Sequence, residues 1–469
     1  MNVQSATEHH QQDGLPLPRR YWSVISIWLA LTMAVLDGAI ANVALPVIAH
    51  QLGASPASSV WVINAYQLTI TILLLPLAAL GDRIGYKCIY IPGLALFTLG
   101  SVACAAGGTL ALLVGARVFQ GIGAACIMSM NAALVRATYP AKMLGRGIGY
   151  NAMVLSMSAA IGPTLAAVIL SIASWQWLFL INLPIGIAAL IIGRKTLPEP
   201  QGHGRPFDWG SALLSGATMG LVVFGAEDVA REGDPLALLM VIAGVGAGAW
   251  LVWREWGASN PLMPLDLLRI PIFSLSITTS VVSFAAQMLA YVAIPFLFQS
   301  VLGRSVFATG LLMTPWPIAV GIAAPIAGRL ADRISAGLLG GIGLIIFAAG
   351  LFLLSRLGSA PDNFDIAWRM AVCGLGFGLF QSPNNRTIVS AAPKPRSGAA
   401  GGMLATARLL GQTAGAVTVG VAFHLAGLRV TPTLLFTASI AALVAAGISM
   451  LRLGVAPPGR IAVYKPILD

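Results

Sequence analysis

Apolar runs of about 20 residues recur along this chain from end to end, each long enough to cross a bilayer as a helix. Fourteen such spans are expected, at 22–49, 60–80, 88–107, 109–133, 144–172, 177–193, 209–227, 236–255, 272–300, 307–328, 336–355, 366–390, 398–426 and 432–451. In hydrocarbon the backbone must bond within each segment, so the expected fold is an all-α integral membrane protein. Composition agrees. The chain is 57% hydrophobic and 9% charged, where a soluble protein carries about a quarter charged residues.

The basic residues test that topology. An even number of spans puts both termini on one side. With that side inside, twenty of the 27 Lys and Arg residues fall in inside segments. Only Arg231, Arg304, Arg356 and Arg429 fall outside, and Arg117, Arg369 and Arg408 lie within spans. This is the positive-inside bias, and dropping one span would invert the later loops. The net charge of +11 is therefore a matter of topology and of contact with anionic lipid. No basic, aromatic-rich soluble segment suggests a nucleic-acid partner. The first 18 residues are polar, without a cleavable signal pattern, and the first span serves as an uncleaved insertion signal. Cys88, Cys104, Cys126 and Cys373 all sit in apolar spans without metal-ligand spacing, so neither a disulfide framework nor a metal site is expected. No cofactor motif is present.

The chain also repeats itself. Ala78 opens AALGDRIGYK and Gly328 opens GRLADRISAG, each just after a span. Asp82 pairs with Asp332 and Arg83 with Arg333. The second copy follows eight further spans, so two six-helix halves with an inserted hairpin account for the count. The expected organisation is a first six-helix bundle with a short tail over 1–193, a linker with a two-helix hairpin over 194–271, and a second six-helix bundle over 272–469.

Asp37 is the only carboxylate of 16 that lies inside a span. A charge at that depth is costly and marks a functional candidate. Two readings stay open: a carboxylate that exchanges a proton for substrate, or the fixed partner of a buried arginine. Arg117 cannot usefully deprotonate; it either tunes a neighbouring carboxylate or bonds backbone carbonyls. Arg408 lies deep enough to line a pathway. Asn42, Gln287, Gln381 and Asn384 are polar groups at depth. Tyr66, Tyr291 and Trp316 are aromatic candidates for contact with organic cations, and Trp316, between Pro315 and Pro317, predicts irregular helix. Gly121, Gly123 and Gly162 permit close helix contact, and Pro163 marks a hinge.

These motifs resemble those of the major facilitator superfamily. The two loops resemble its signature Gly-x-Leu-Ala-Asp-Arg-x-Gly-Arg-Lys, with departures at Ala78, Tyr86 and Ser335. LDGAIANVALP from Leu36, the series Arg117, Gln120, Gly121, Gly123, Ala124 and Ala125, Gly162-Pro163, and WQWLFLINLPIG from Trp175 resemble motifs of drug:proton antiporters. GLGFGLFQSPNN from Gly374 and GAAGGMLATARLLGQTAGA from Gly398 are similar to the 14-span (EmrB/QacA-like) subfamily. The resemblance implies a cytoplasmic gate at Asp82, Arg83, Gly85, Lys87, Asp332 and Arg333, and proton coupling at Asp37 and Arg117. It implies proton-driven export of lipophilic drugs from a bacterial cytoplasmic (inner) membrane, with both termini cytoplasmic. The acting unit is a monomer, with accessory export proteins compatible. A dedicated exporter of one metabolite, siderophore or antibiotic uses the same motifs. A single intramembrane acid, and none in 307–328, favours monocationic or neutral compounds and direct competition between proton and substrate at Asp37. A membrane enzyme or sensor would need a nucleophile, metal cluster or soluble domain, and the sequence offers none. The chain is therefore expected not to be an enzyme.

Overall fold

The computed structural model describes residues 14–140, 143–198, 208–232, 235–256, 265–331, 333–392 and 397–455. Among them the regular elements are all helical. Eleven described stretches are long and apolar enough to cross a membrane. The long helices coincide with the expected segments. The first is Arg19–Gln51, the second Trp61–Ile84, the third Tyr86–Ala105, the fourth Leu110–Thr138 and the fifth Leu144–Ile172. The sixth segment begins with one turn, Trp177–Leu180, and continues as Asn182–Thr196. Trp209–Glu232 and Pro235–Glu255 form the hairpin. The ninth helix is Pro271–Phe296, followed by Ala336–Ser355, Asn363–Ala391, Ser397–Ala426 and Thr431–Leu451 after the tenth segment.

Local chemistry sets many of the boundaries. Ser55, Thr109, Ser305, Ser335 and Asp362 each accept a hydrogen bond from a backbone N–H three residues on. Such caps satisfy donors that a helix start leaves open. Gly85 turns the chain from the second helix into the third at φ +97°, a conformation that a residue with Cβ rarely adopts. The tenth segment is broken as its prolines predict. Val306–Met313 ends at Thr314, and Pro315–Leu330 starts anew. Pro315 has no N–H to continue the ladder, and a first-turn position tolerates that loss.

The helices pack mainly among the first six and among the last six. A repeat of contacts links the groups more tightly than the two loops do. A Cβ on Gly123 would collide with the Phe97 amide and stand 2.7 Å from the Gly93 carbonyl oxygen. One on Gly376 would collide with the Phe347 amide and stand 2.6 Å from the Gly343 carbonyl oxygen. Gly100 abuts Gln120 as Gly350 abuts Cys373, and Gly121 meets Tyr66 and Thr69 as Gly374 meets Trp316 and Ala319. The displacement that relates Phe97 to Phe347 and Tyr66 to Trp316 also relates Asp82 to Asp332, while the fourth-helix positions are offset by three residues more. Small residues let these backbones touch where lipid offers no hydrophobic drive between helices.

The two groups meet along a seam. The first helix contacts the ninth, the second contacts Ser397–Ala426, and the fifth contacts both pieces of the tenth segment. The hairpin seats its first helix against the second helix and Ser397–Ala426. Its ends are joined by Arg254, which donates to Asp208 at 2.9 Å. Burial alone would raise the Asp208 pKa, but bonds from Ser211 and Arg254 outweigh it and hold the carboxyl below its ordinary value. At the end away from residues 14–20, the seam is tight. Gln299 donates to the Val43 carbonyl at 3.0 Å, and the hydroxyls of Thr164 and Thr314 lie 2.6 Å apart. The Gly162-Pro163 step lies in this region. A Cβ on Gly162 would collide with Ala39 of the first helix, and Gly310 of the tenth segment rests against the Pro163 carbonyl.

Candidate functional site: a buried ion pair beside a central chamber

Asp37 projects from the first helix toward the third, fourth and sixth and is 2% exposed. Arg117 of the fourth helix forms an ion pair with its Oδ2. The amides of Gln120 and Asn182 donate to Oδ1 at 2.9 and 3.0 Å. Ser101 joins them, accepting from Gln120 at 2.9 Å. Arg117 also donates to the Val62 backbone carbonyl at 2.9 Å and to the Gln120 side-chain Oε1 at 2.6 Å. Both charges are thus matched and hydrogen-bonded, the condition for carrying an ion pair through a low-dielectric interior. Gln120, Asn182 and Ser101 are site members that the motif reading quoted or passed over without assigning roles. The spacing of Arg117 and Gln120, one helical turn, is the signal that joins those two.

The network is confined to the first group of helices. In the repeat of contacts, Met370 stands where Arg117 does and Cys373 where Gln120 does, and both are fully buried. Of the other arginines expected within spans, Arg369 pairs with Asp365 at 2.8 Å, one turn earlier in its own helix. Arg408 alone has neither a hydrogen bond nor an ion pair among the described residues; its guanidinium stands 5.6 Å from the Phe284 ring. Arg452, expected in an inside segment, is 4% exposed. It donates to Asn384 at 2.8 Å, to Ser276 at 3.0 Å and to Ser449.

A chamber of about 130 Å³ lies on the seam, adjoining the ion pair. Its walls come from the first, second, fourth and ninth helices and from Ser397–Ala426. Of the residues predicted to contact substrate, Asn42, Tyr66, Gln287, Tyr291 and Arg408 line it. Gln67 and Gln412 line it as well and escaped the sequence reading. Gln412 lies one helical turn after Arg408 on the same face, and Gln67 follows Tyr66 directly. The Asn42 amide donates to the Gly38 carbonyl at 2.9 Å, leaving its own carbonyl oxygen without a partner among the described residues.

The structure does not bring the remaining candidates to the chamber. Trp316 is fully buried behind Tyr291, its ring edge-on with centroids 4.9 Å apart. Asn384 is bound into the Arg452 cluster, where it also donates to Ser280 at 2.7 Å. Gln381 is half-buried in the same helix and off the chamber wall. Asp37 does not line the chamber either: the first helix offers Ala34, Val35, Gly38, Ala39 and Asn42 instead. Asp37 points about 100° around the helix from Gly38, toward Arg117. Direct contact between substrate and Asp37 is therefore not what this arrangement provides.

Tyr66 stands between the two features. Its ring lies 4.0 Å from the Arg117 guanidinium carbon, its hydroxyl donates to the Ala34 carbonyl at 2.9 Å, and it lines the chamber. Gly121 lets the fourth helix approach the backbone here, where a Cβ would stand 3.1 Å from the Tyr66 carbonyl oxygen and against Thr69. A cation over an aromatic face gains up to about 2 kcal/mol when desolvated, while one hydroxyl bond is worth about 1 kcal/mol. Tyr66→Phe is therefore expected to tolerate heating in detergent nearly as the native protein does, and Tyr66→Ala to lose its monodisperse form several degrees earlier. Equal loss in both variants would remove the ring–guanidinium contact from this account.

Asp82 and Arg83 are exposed at the end of the second helix, and Tyr86 donates to Asp82 at 2.8 Å. Arg333 is exposed at the matching loop, and Asp332 lies outside the described residues. No group of three or more His, Cys, Asp or Glu side chains among the described residues is placed to hold a metal ion.

Known proteins resemble this chain at three levels. The chain is 52% identical over 448 residues to the uncharacterized transporter YebQ of Escherichia coli K12, covering 94% of this chain and 98% of that one. It is 32% identical to the multidrug resistance protein Stp of Mycobacterium tuberculosis CDC 1551 / Oshkosh, over 85% of this chain and 75% of Stp. A crystal structure of a POT family transporter in complex with a thioalcohol-conjugated peptide shares the fold, with a TM-score of 0.69, 15% identity and coverage of 93% and 96%. The Major Facilitator Superfamily model matches residues 27–416, which take in the ion pair, every residue of the chamber wall and both halves of the contact repeat. The chain thus belongs to the major facilitator superfamily of membrane transporters.

Proposed function

We propose that this transporter exports lipophilic drugs and toxic compounds across a bacterial cytoplasmic membrane, driven by protons through alternating access. The observation that carries the proposal is the buried Asp37–Arg117 pair, one aromatic ring away from a chamber on the seam between two helix groups. A relative named for multidrug resistance supports the substrate class. The helix pattern and the basic-residue bias support fourteen spans with both termini cytoplasmic. The contact repeat supports bundles over 1–193 and 272–469, with the hairpin inserted at 194–271.

Coupling follows from the charge balance. Protonation of Asp37 removes the counter-charge of Arg117 and leaves a buried cation uncompensated. The guanidinium must then shift, and the Tyr66 ring against it shifts too, altering the chamber wall. Release of the proton restores the pair. Proton and substrate communicate through Tyr66, without sharing one carboxylate. The tight seam at the Gln299 and Thr314 end fits a state closed on the side away from the termini. The loops at Asp82, Arg83, Gly85 and Lys87 and at Asp332 and Arg333 act as the gate on the other side. Without a carboxylate in the described wall, the expected preference for monocations loses its basis. Neutral compounds remain compatible with the lining.

A susceptibility screen of toxic compounds, with and without the protein in a pump-deficient host, is expected to show protection against several unrelated lipophilic compounds. Protection against one compound alone would favour a dedicated exporter. In proteoliposomes, transport of the protected compounds should stop when the proton gradient is collapsed. Transport that continues at an unchanged rate would refute proton coupling.

A further inference from the structure

We infer that the chamber selects compounds carrying an anionic oxygen group, with Arg408 as the residue that receives it. The inference rests on the chamber being the substrate site and assigns its charge preference. Three observations carry it. Asp37 and Arg117 neutralise each other and lie behind Tyr66, so neither charge faces the chamber unpaired. Arg408 does face it, and has no hydrogen bond or ion pair among the described residues. No carboxylate lines the described wall to balance it.

Arg408 is half-buried within its span; a guanidinium at that depth without a counter-charge is costly, and its five donors are pre-arranged for a carboxylate or sulfonate. Arg369 and Arg452 make the contrast plain. Arg369 is half-buried near the start of its helix and is bonded to an acid, and Arg452 is buried and bonded to amide and hydroxyl oxygens of its neighbours. Of the described arginines within spans, Arg408 keeps its donors open, and it does so at the chamber wall. Around it, the Gln67, Gln287 and Gln412 amides also lack partners among the described residues. They supply further donors to an oxyanion, while Tyr66 and Tyr291 flank the space with aromatic surface. The fitting ligand is an aromatic amphiphile with one acidic group. A cationic compound would meet like charge in a low-dielectric site.

Three probes of matched shape test this: 2-naphthoate, 2-naphthamide and 2-naphthylmethylammonium. Equilibrium binding is measured in nanodiscs holding the full-length protein against empty nanodiscs, with no proton gradient. Native protein is expected to bind the carboxylate at least about tenfold more tightly than the amide, and the ammonium most weakly. Arg408→Gln should erase the preference for the carboxylate, and Arg408→Lys should keep part of it. Equal binding of all three, preference for the ammonium, no measurable binding of any, or an unchanged preference in Arg408→Gln would each overturn the assignment. Because no gradient is present, the result is independent of proton coupling. Loss of coupling with the charge preference intact would refute only the export mechanism, and proton-driven export of cations alone would refute only this inference.

Discussion

Asp37→Asn is expected to abolish proton-driven export and also to weaken the fold. The asparagine cannot gain and release a proton, so the counter-charge of Arg117 no longer changes through the cycle. It also leaves Arg117 buried without an anion. Breaking a buried pair on one side costs about 3–5 kcal/mol, most of it the penalty of the charge left behind. Arg117→Gln should be similarly damaging, because Asp37 then keeps only the Gln120 and Asn182 amides as partners. The double variant, Asp37→Asn with Arg117→Gln, removes both charges together. It should recover most of the lost stability, since two neutral amides of similar volume can bond each other and Gln120. It should recover no proton-coupled transport. The measurements are the temperature at which each purified variant loses its monodisperse form, and substrate-dependent proton flux in proteoliposomes. Additive losses of stability in the double variant would contradict the ion pair. Restored proton flux in the double variant would contradict the coupling role.

The second large effect concerns the matched glycines. Gly123→Ala and Gly376→Ala each place a methyl group against the backbone of the facing helix, at Phe97 and at Phe347. Backbone atoms cannot swing aside as a flexible side chain can, so the third and fourth helices, and Ala336–Ser355 and Asn363–Ala391, must separate. Overpacking of this kind costs about 1–3 kcal/mol. Both variants should therefore lose thermal tolerance by similar amounts. Their effects on transport should differ. Parting the third and fourth helices moves Ser101 and Cys104 away from Gln120 and so disturbs the ion pair, whereas the second pair of helices holds no member of that network. Gly401→Ala is the control, because a Cβ there meets open space. If it proves as damaging as the other two, the close approach is not the cause.

The legible part of the site and the hidden part divide along a physical line. Asp37, Arg117, Tyr66, Arg408 and Gln287 stood out in sequence because polar or aromatic groups at depth are costly and few. What the pattern could not give was the direction in which each side chain points. Asn384 and Asn42 are both asparagines deep in helices, yet one is bound to Arg452 and the other opens onto the chamber. Gln67 sits beside Tyr66 in sequence, but one glutamine in a helix carries no signal until its neighbours are known. The expected competition at Asp37 depends on the same direction, and Asp37 does not line the chamber. One step along the first helix, from Asp37 to Gly38, turns about 100°, and that turn separates the ion pair from the chamber.

Hydropathy and charge placement determined the all-helical membrane architecture, and the motifs determined the family resemblance. They do so because bilayer thickness and the cost of burying charge act on each segment separately. The tertiary structure alone decided which charges cancel and which remain open. Pairing Asp37 with Arg117, and leaving Arg408 without an anion, depends on helices far apart in the chain coming within a few ångströms of one another. Electrostatic free energy in a low-dielectric interior belongs to those pairs, not to single residues.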